Sequence, residues 1–188
     1  MPRRTVQFCP GECYHLCNRG NNRERIFFAG ENYAFFLRQW RKYLSPACDV
    51  VAYCLIPTHY HVLVLLKHEG LSHCMQLLPI SYTKAINTRN RRVGAVFQGA
   101  FQAKHIDRSD YLVHLSRYIH LNPVLAGLVK QAEGWEFSSY REYVGLRAGT
   151  LPVPDIVLSQ FPSTGAYRAF VAAYSPEERK VVDELVFD

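Results

Sequence analysis

Along the chain, apolar and polar positions alternate in three distinguishable ways. The run Glu12 to Cys17, "ECYHLC", is β-compatible and stops at "NRGNNR", whose Asn and Gly residues mark a turn. The next run, "ENYAFFLRQWRKYL", places Tyr33, Phe36, Leu37, Trp40, Tyr43 and Leu44 at three- and four-residue steps before Ser45-Pro46. That spacing predicts an amphipathic helix. "DVVAYCLI" and "YHVLVLL" are β-rich runs separated by Pro57-Thr58-His59, which predicts a hairpin of two adjacent central strands. From Leu71, with Ser72 as N-cap, a helical segment extends to about Arg92, and Pro79 is expected to kink or split it. "AVFQGAFQAKHI" reads as a fourth strand region, with Gly99 at a bulge or tight turn. Ser109 or Asp110 then caps a helix, "YLVHLSRYIHLN", which Pro123 ends or bends.

The predicted order is strand, helix, strand, strand, helix, strand and a closing helix. It matches an α+β, ferredoxin-like (RRM-like) antiparallel sheet with helices packed on one face. Beyond Gly134, "WEFSSYREYVGL" continues the packing. After Thr150, "LPVPD" reads as a linker to a short helical tail that includes "SPEERKVVDELV". The expected division is one main domain over 1–150 and a linker with a helical C-terminal extension over 151–188. A chain of 188 residues accommodates this without a second large core.

Composition changes the picture in two places. Six cysteines at 9, 13, 17, 48, 54 and 74 include no CxxC pair, so reduced structural thiols are expected rather than a zinc site. The apolar stretch Val50 to Leu66 is broken by Pro57, Thr58 and two histidines, so it fails as a membrane span. No apolar run of signal-peptide length follows the basic start, and a cytoplasmic location is expected. The net charge of +6 is unevenly spread: residues 1–150 carry 19 Lys and Arg against 10 Asp and Glu, and the remainder 3 against 6. Lys84, Arg89, Arg91, Arg92, Lys104 and Arg108 fall within 25 residues. Such a cluster suits a polyanion, and equally suits a solvated helix end.

The candidate chemistry begins with His59 and His61. On a strand, alternate side chains share a face, which puts the two imidazole Cβ atoms roughly 6 to 7 Å apart. They can hold a divalent cation together, but a third protein ligand is needed; without one, two polar residues at a strand start explain the pair as well. Downstream, His114, Tyr118 and Asn122 follow at four-residue steps beside an apolar stripe of Leu112, Leu115 and Ile119. Asn122 can offer an amide oxygen to the same ion, and Tyr118 lies one turn earlier. A phenol is a weak nucleophile until its target is polarised. With a metal ion drawing charge from a phosphodiester, Tyr118 becomes a candidate for forming a phosphotyrosine linkage.

These motifs carry a resemblance. "YHLCNRGNNRERIFF", "AYCLIPTHYHVLV", "VFQGAF", "RYIHLNPVLAGLV" and "WEFSSYREY" resemble, in order, the motifs of the REP-associated tyrosine transposases, within the single-tyrosine HUH transposases. The resemblance covers roughly residues 8 to 145. It implies a ferredoxin-like fold, cleavage and rejoining of single-stranded DNA beside palindromic hairpins (REP-like palindromes), and dependence on Mg2+ or Mn2+. It also implies that His59, His61 and Asn122 are the metal ligands and Tyr118 the nucleophile. Related insertion-sequence enzymes are dimers, whereas this group acts as monomers, so a monomer is expected. The sequence departs from the pattern at Tyr60, where a smaller aliphatic is usual, at Ala100 and Leu125, where cations are usual, and at Pro79. Candidate DNA contacts are Arg19, Arg89, Arg91, Arg92 and Lys104, since single strands need phosphate neutralisation and stacking surfaces. Two other readings stay open: a regulatory hairpin-binding protein without turnover, derived from a transposase, and a metal hydrolase of small phosphoesters using water.

Overall fold

The computed structural model describes residues 6–175. Four strands form one antiparallel sheet: β1 (Cys13–Arg19), β2 (Cys48–Ile56), β3 (His59–Leu66) and β4 (Gln102–Ile106), in the spatial order β2-β3-β1-β4. The helices α1 (Gly30–Tyr43), α2 (Leu71–Asn90) and α3 (Ser109–Leu125) complete the expected order. Strand alternation sorts the sheet's side chains into two cores. Tyr14, Leu16, Tyr60, Val62, Val64 and Leu66 point to one face, where they pack with Phe36 and Trp40 of α1 and Met75, Leu78 and Tyr82 of α2. Leu63, Cys54, Ile56 and Ile106 point to the other, against Leu112, Leu115, Tyr118 and Ile119 of α3.

Four expectations need correcting. The helices do not all cover one face: α1 and α2 share a face, and α3 lies on the opposite one. The physical reason lies in β2 and β3, which are apolar on both sides and so demand cover on both. The hairpin strands are adjacent, but only β3 is central; β2 is an edge. Later chain covers that edge, with Leu55 N–H donating to Phe137 O, Ser139 N–H to Tyr53 O and Val153 N–H to Val50 O. Pro79 does not split α2, which continues through it because Leu71, Met75, Leu78, Tyr82 and Ile86 seat one unbroken apolar stripe in the core. The N-cap of α2 is Gly70 rather than Ser72, in a left-handed conformation (φ 104°) that glycine adopts without cost.

Tyr60 fits its buried position by packing among Phe36, Trp40 and Phe97, with ring centroids 5.1, 5.8 and 6.3 Å away. Three short helices follow α3: α4 (Tyr140–Tyr143), α5 (Asp155–Leu158) and α6 (Thr164–Ala172). Val157, Tyr167 and Val171 from the last two join the α3 core. The expected tail helix "SPEERKVVDELV" lies almost wholly outside the described residues. Among the described residues, no helix is long and apolar enough to cross a membrane.

Candidate functional site

The hairpin between β2 and β3 has a two-residue turn, Pro57-Thr58, and its carbonyls are anchored from outside. Ile26 and Phe27 N–H donate to Pro57 O, and Gly20 N–H donates to Thr58 O at 2.8 Å. Only glycine fits at position 20, since a Cβ there would meet the carbonyl oxygen of Glu24 at 2.0 Å. These bonds fix the start of β3, and with it His59. On β3, His59 and His61 share the α3 face, with ring centroids 5.0 Å apart and planes at 87°.

From α3, Asn122 reaches back to the pair: its Oδ1 lies 3.2 Å from His59 Nε2. Asn122 is 5% exposed. The opposite nitrogen of His59, Nδ1, lies 3.0 Å from the Thr58 hydroxyl. His61 is 2% exposed, and its Nδ1 lies 3.0 Å from Nε2 of the buried His15 on β1. Its other nitrogen, Nε2, is buried with no hydrogen-bond partner among the described residues. Burial, followed by the neighbouring His15 and His59, holds the His61 imidazole well below its ordinary pKa, so the ring is neutral near pH 7. Tyr118 stands edge-on to His61, with centroids 5.6 Å apart at 81°, and is 1% exposed. His114, the third member of the helix stripe, turns away from the sheet to meet Arg117 and Phe170.

Beside the histidines opens a cavity of about 330 Å³, lined by Cys17, Asn18, Arg19, Arg23, Thr58, His59, His61, Gln98 and Gln102 among others. Tyr118 and Asn122 do not line it. Of the candidate DNA contacts, Arg19 enters this cavity, held by a 2.7 Å bond from its Nε to Gln98 Oε1. Lys104 pairs with His15 across β1 and β4, hence on the same face. Arg92 bonds Glu24 at 3.3 Å in the loop that follows Arg23, and stacks over Phe28. Arg91 closes α2 in a left-handed conformation. Arg89 is ion-paired with Glu31 of α1, on the sheet's other side. The basic stretch is therefore divided between two faces, and Arg108 is paired with Asp110.

Sequence reading missed His15, Arg23, Asn18, Gln98 and Gln102. For His15 the signal was present in its two-residue spacing from Cys17 on a strand, but its meeting with His61 depends on the β1–β3 register, Cys17 opposite His61. Among the described residues the six cysteines form no disulfide, and no group of three or more His, Cys, Asp or Glu is arranged to hold a metal ion. The donor set at the site is two imidazole nitrogens and one amide oxygen.

No family model matches the chain. A curated protein of Haemophilus influenzae strain Rd, which carries the name of a REP-associated tyrosine transposase, is 25% identical over 126 residues, spanning 58% of this chain and 71% of that protein. The chain is similar to the REP-associated tyrosine transposases. A solved structure of a REP-associated tyrosine transposase bound to a REP hairpin superposes with a TM-score of 0.66 at 22% identity. The match covers 80% of this chain and 93% of that one, so the two share the α+β fold described above.

Proposed function

We propose that this chain is a tyrosine transposase of the REP-associated kind, a metal-dependent endonuclease and strand transferase acting on single-stranded DNA at hairpins. The observation that carries the reading is the meeting of His59 Nε2 and Asn122 Oδ1 at 3.2 Å, beside the unpartnered Nε2 of His61 and the ring of Tyr118. These three donors come from two elements far apart in sequence. A buried imidazole nitrogen without a partner carries a desolvation cost of roughly 1–3 kcal/mol, which a bound cation would remove. His59, His61 and Asn122 would hold Mg2+ or Mn2+, and the ion would supply charge withdrawal from a phosphoryl oxygen.

The chain's own residues supply the rest. Tyr118 gives the nucleophilic oxygen: its phenol releases a proton as a bond forms to phosphorus, the bond from phosphorus to the leaving sugar oxygen breaks, and that oxygen takes up a proton in turn. The phosphotyrosine ester retains the bond energy, so the reverse step rejoins a strand without a nucleotide cofactor. Because Tyr118 is packed behind His61, attack requires its phenol to swing toward the cavity. Arg19, Arg23 and Lys104 place positive charge on the same face for the phosphates. A monomer suffices in this reading, since tyrosine, histidines and asparagine all come from one chain.

The test uses labelled single-stranded hairpin DNA with Mn2+. A covalent protein–DNA adduct is expected from the native chain and none from Tyr118→Phe; adduct of equal yield in that variant would refute the assignment. The burial of Tyr118 favours a second reading, a hairpin-binding regulator without turnover. Normal hairpin binding with no adduct across Mg2+, Mn2+ and other divalent ions would select it.

A further inference from the structure

His15 has no part in the chemistry above, yet it is a fully buried imidazole at the middle of β1. Its ring stacks on that of His61, with centroids 5.1 Å apart and planes at 19°, and its Nε2 lies 3.0 Å from His61 Nδ1. A contact of that length between two ring nitrogens is a hydrogen bond only when one nitrogen carries a proton and the other does not. The two possible arrangements have opposite consequences at the far side of His61. If His61 Nδ1 donates, its Nε2 presents a lone pair. If His15 donates, His61 Nε2 bears a buried proton that no described residue accepts.

His59 is held in the same way. Its Nδ1 faces the Thr58 hydroxyl and its Nε2 faces Asn122 Oδ1. Both imidazoles are therefore gripped at Nδ1, which leaves Nε2 of each on the other side of its ring. Thr58 is a half-buried turn residue, whereas His15 is fixed by a strand paired on both edges, with β3 and β4.

We propose that His15 is a positioning residue, which accepts a hydrogen bond from His61 Nδ1–H and so fixes the ring and tautomer of His61 with its Nε2 lone pair turned toward a divalent cation. This rests on the reading of His59, His61 and Asn122 as the ligand set. Partners that orient a ligating histidine in this way typically change metal affinity by roughly 10- to 100-fold. A role in packing alone would change thermal stability without changing that affinity.

The experiment titrates Mn2+ into the metal-free full chain by calorimetry, for native protein, His15→Phe and His15→Gln, with melting curves recorded alongside. His15→Phe keeps an aromatic ring but no acceptor, and a loss of roughly 10- to 100-fold in Mn2+ affinity is expected. His15→Gln restores an acceptor oxygen and is expected to recover most of that loss. Hairpin affinity without metal should be unchanged in both. Native-like Mn2+ affinity in a folded His15→Phe would overturn the proposal. Should that variant fail to fold, nitrogen-15 spectra of the native imidazoles decide it: a proton on His61 Nδ1 supports the proposal, and one on Nε2 overturns it. Absence of Mn2+ binding by the native chain would instead overturn the ligand set, and the role of His15 with it.

Discussion

At the scale of single residues, position relative to the sheet decides which cations matter. Arg19 stands opposite His59 in the β1–β3 register, and its guanidinium is steadied by Gln98 beside the cavity. Arg89 is tied to Glu31 on the far side, in an exposed pair of a kind worth about 0–1 kcal/mol. Arg19→Ala is therefore expected to weaken hairpin binding several-fold and to reduce the slope of log affinity against log salt by about 1, whereas Arg89→Ala changes neither. Fluorescence anisotropy over a salt series measures both, and equal effects of the two substitutions would contradict this placement. Buried thiols and phenols make a second prediction. Burial, with Cys74 next, pushes Cys48 up to about 12, and burial raises Cys54 as well. Burial, then Glu142, pushes Tyr53 up to about 12. Unfolded, the thiols ionise near 9.0, so the unfolded chain releases protons that the fold retains. This contribution to stability is complete below pH 9 and lost as pH rises toward 12. Urea midpoints should hold to about pH 9 and fall from there to pH 10.5, and a flat profile across that range would show that these groups ionise freely in the fold.

At the scale of elements, α2 shows how a local signal can be read correctly and still mislead. Pro79 removes one helical hydrogen bond and crowds the preceding turn, at a cost of about 3 kcal/mol in an ordinary helix interior, yet the stripe from Leu71 to Ile86 carries the helix through. Pro79→Ala should raise the melting temperature by several degrees, at about 2–4 °C per kcal/mol for a chain of this size. A lower melting temperature would mean that the proline shapes a bend the core requires. The elements that the sequence makes legible are those whose signal is local: four strands as β-rich runs bounded by turn residues, and helices by apolar steps and their stop signals. The candidate site was legible for the same reason. His59 and His61 are two apart on a strand, and Tyr118 and Asn122 are four apart on a helix. What escaped depends on distant pairing. The edge position of β2, the placement of α3 on the opposite face and the meeting of His15 with His61 all follow from sheet order and register, which no short window contains.

At the scale of the whole molecule, residues 151–175 bear on the site through α3. That helix carries Tyr118 and Asn122 toward the sheet, and its outer side is gripped by α6. Arg117 donates to Phe170 O and lies 4.0 Å over the Phe170 ring. Behind it runs a buried polar chain. The Ser139 hydroxyl receives Tyr53 N–H and donates to Tyr53 O, so His120 Nε2 donates to Ser139, and His120 Nδ1 accepts from the Tyr167 hydroxyl at 2.7 Å. Burial holds His120 down to about 3, in keeping with a neutral ring in this role. The chain ties β2, α3, the segment before α4, and α6 into one unit. Truncation after Thr150 should therefore abolish the cooperative urea unfolding transition. Tyr167→Phe tests the same point without deleting anything. It removes the hydroxyl that His120 needs and leaves the ring's packing against Tyr143 and Phe161 intact. A buried acceptor left unsatisfied costs roughly 1–3 kcal/mol, so the melting temperature should fall by several degrees. Because α3 would then be held less firmly behind His61, hydrogen exchange at the α3 amides should quicken while exchange in β1 and β3 stays as in the native chain. Unchanged melting and unchanged exchange would show that α6 packs on α3 without holding it in place.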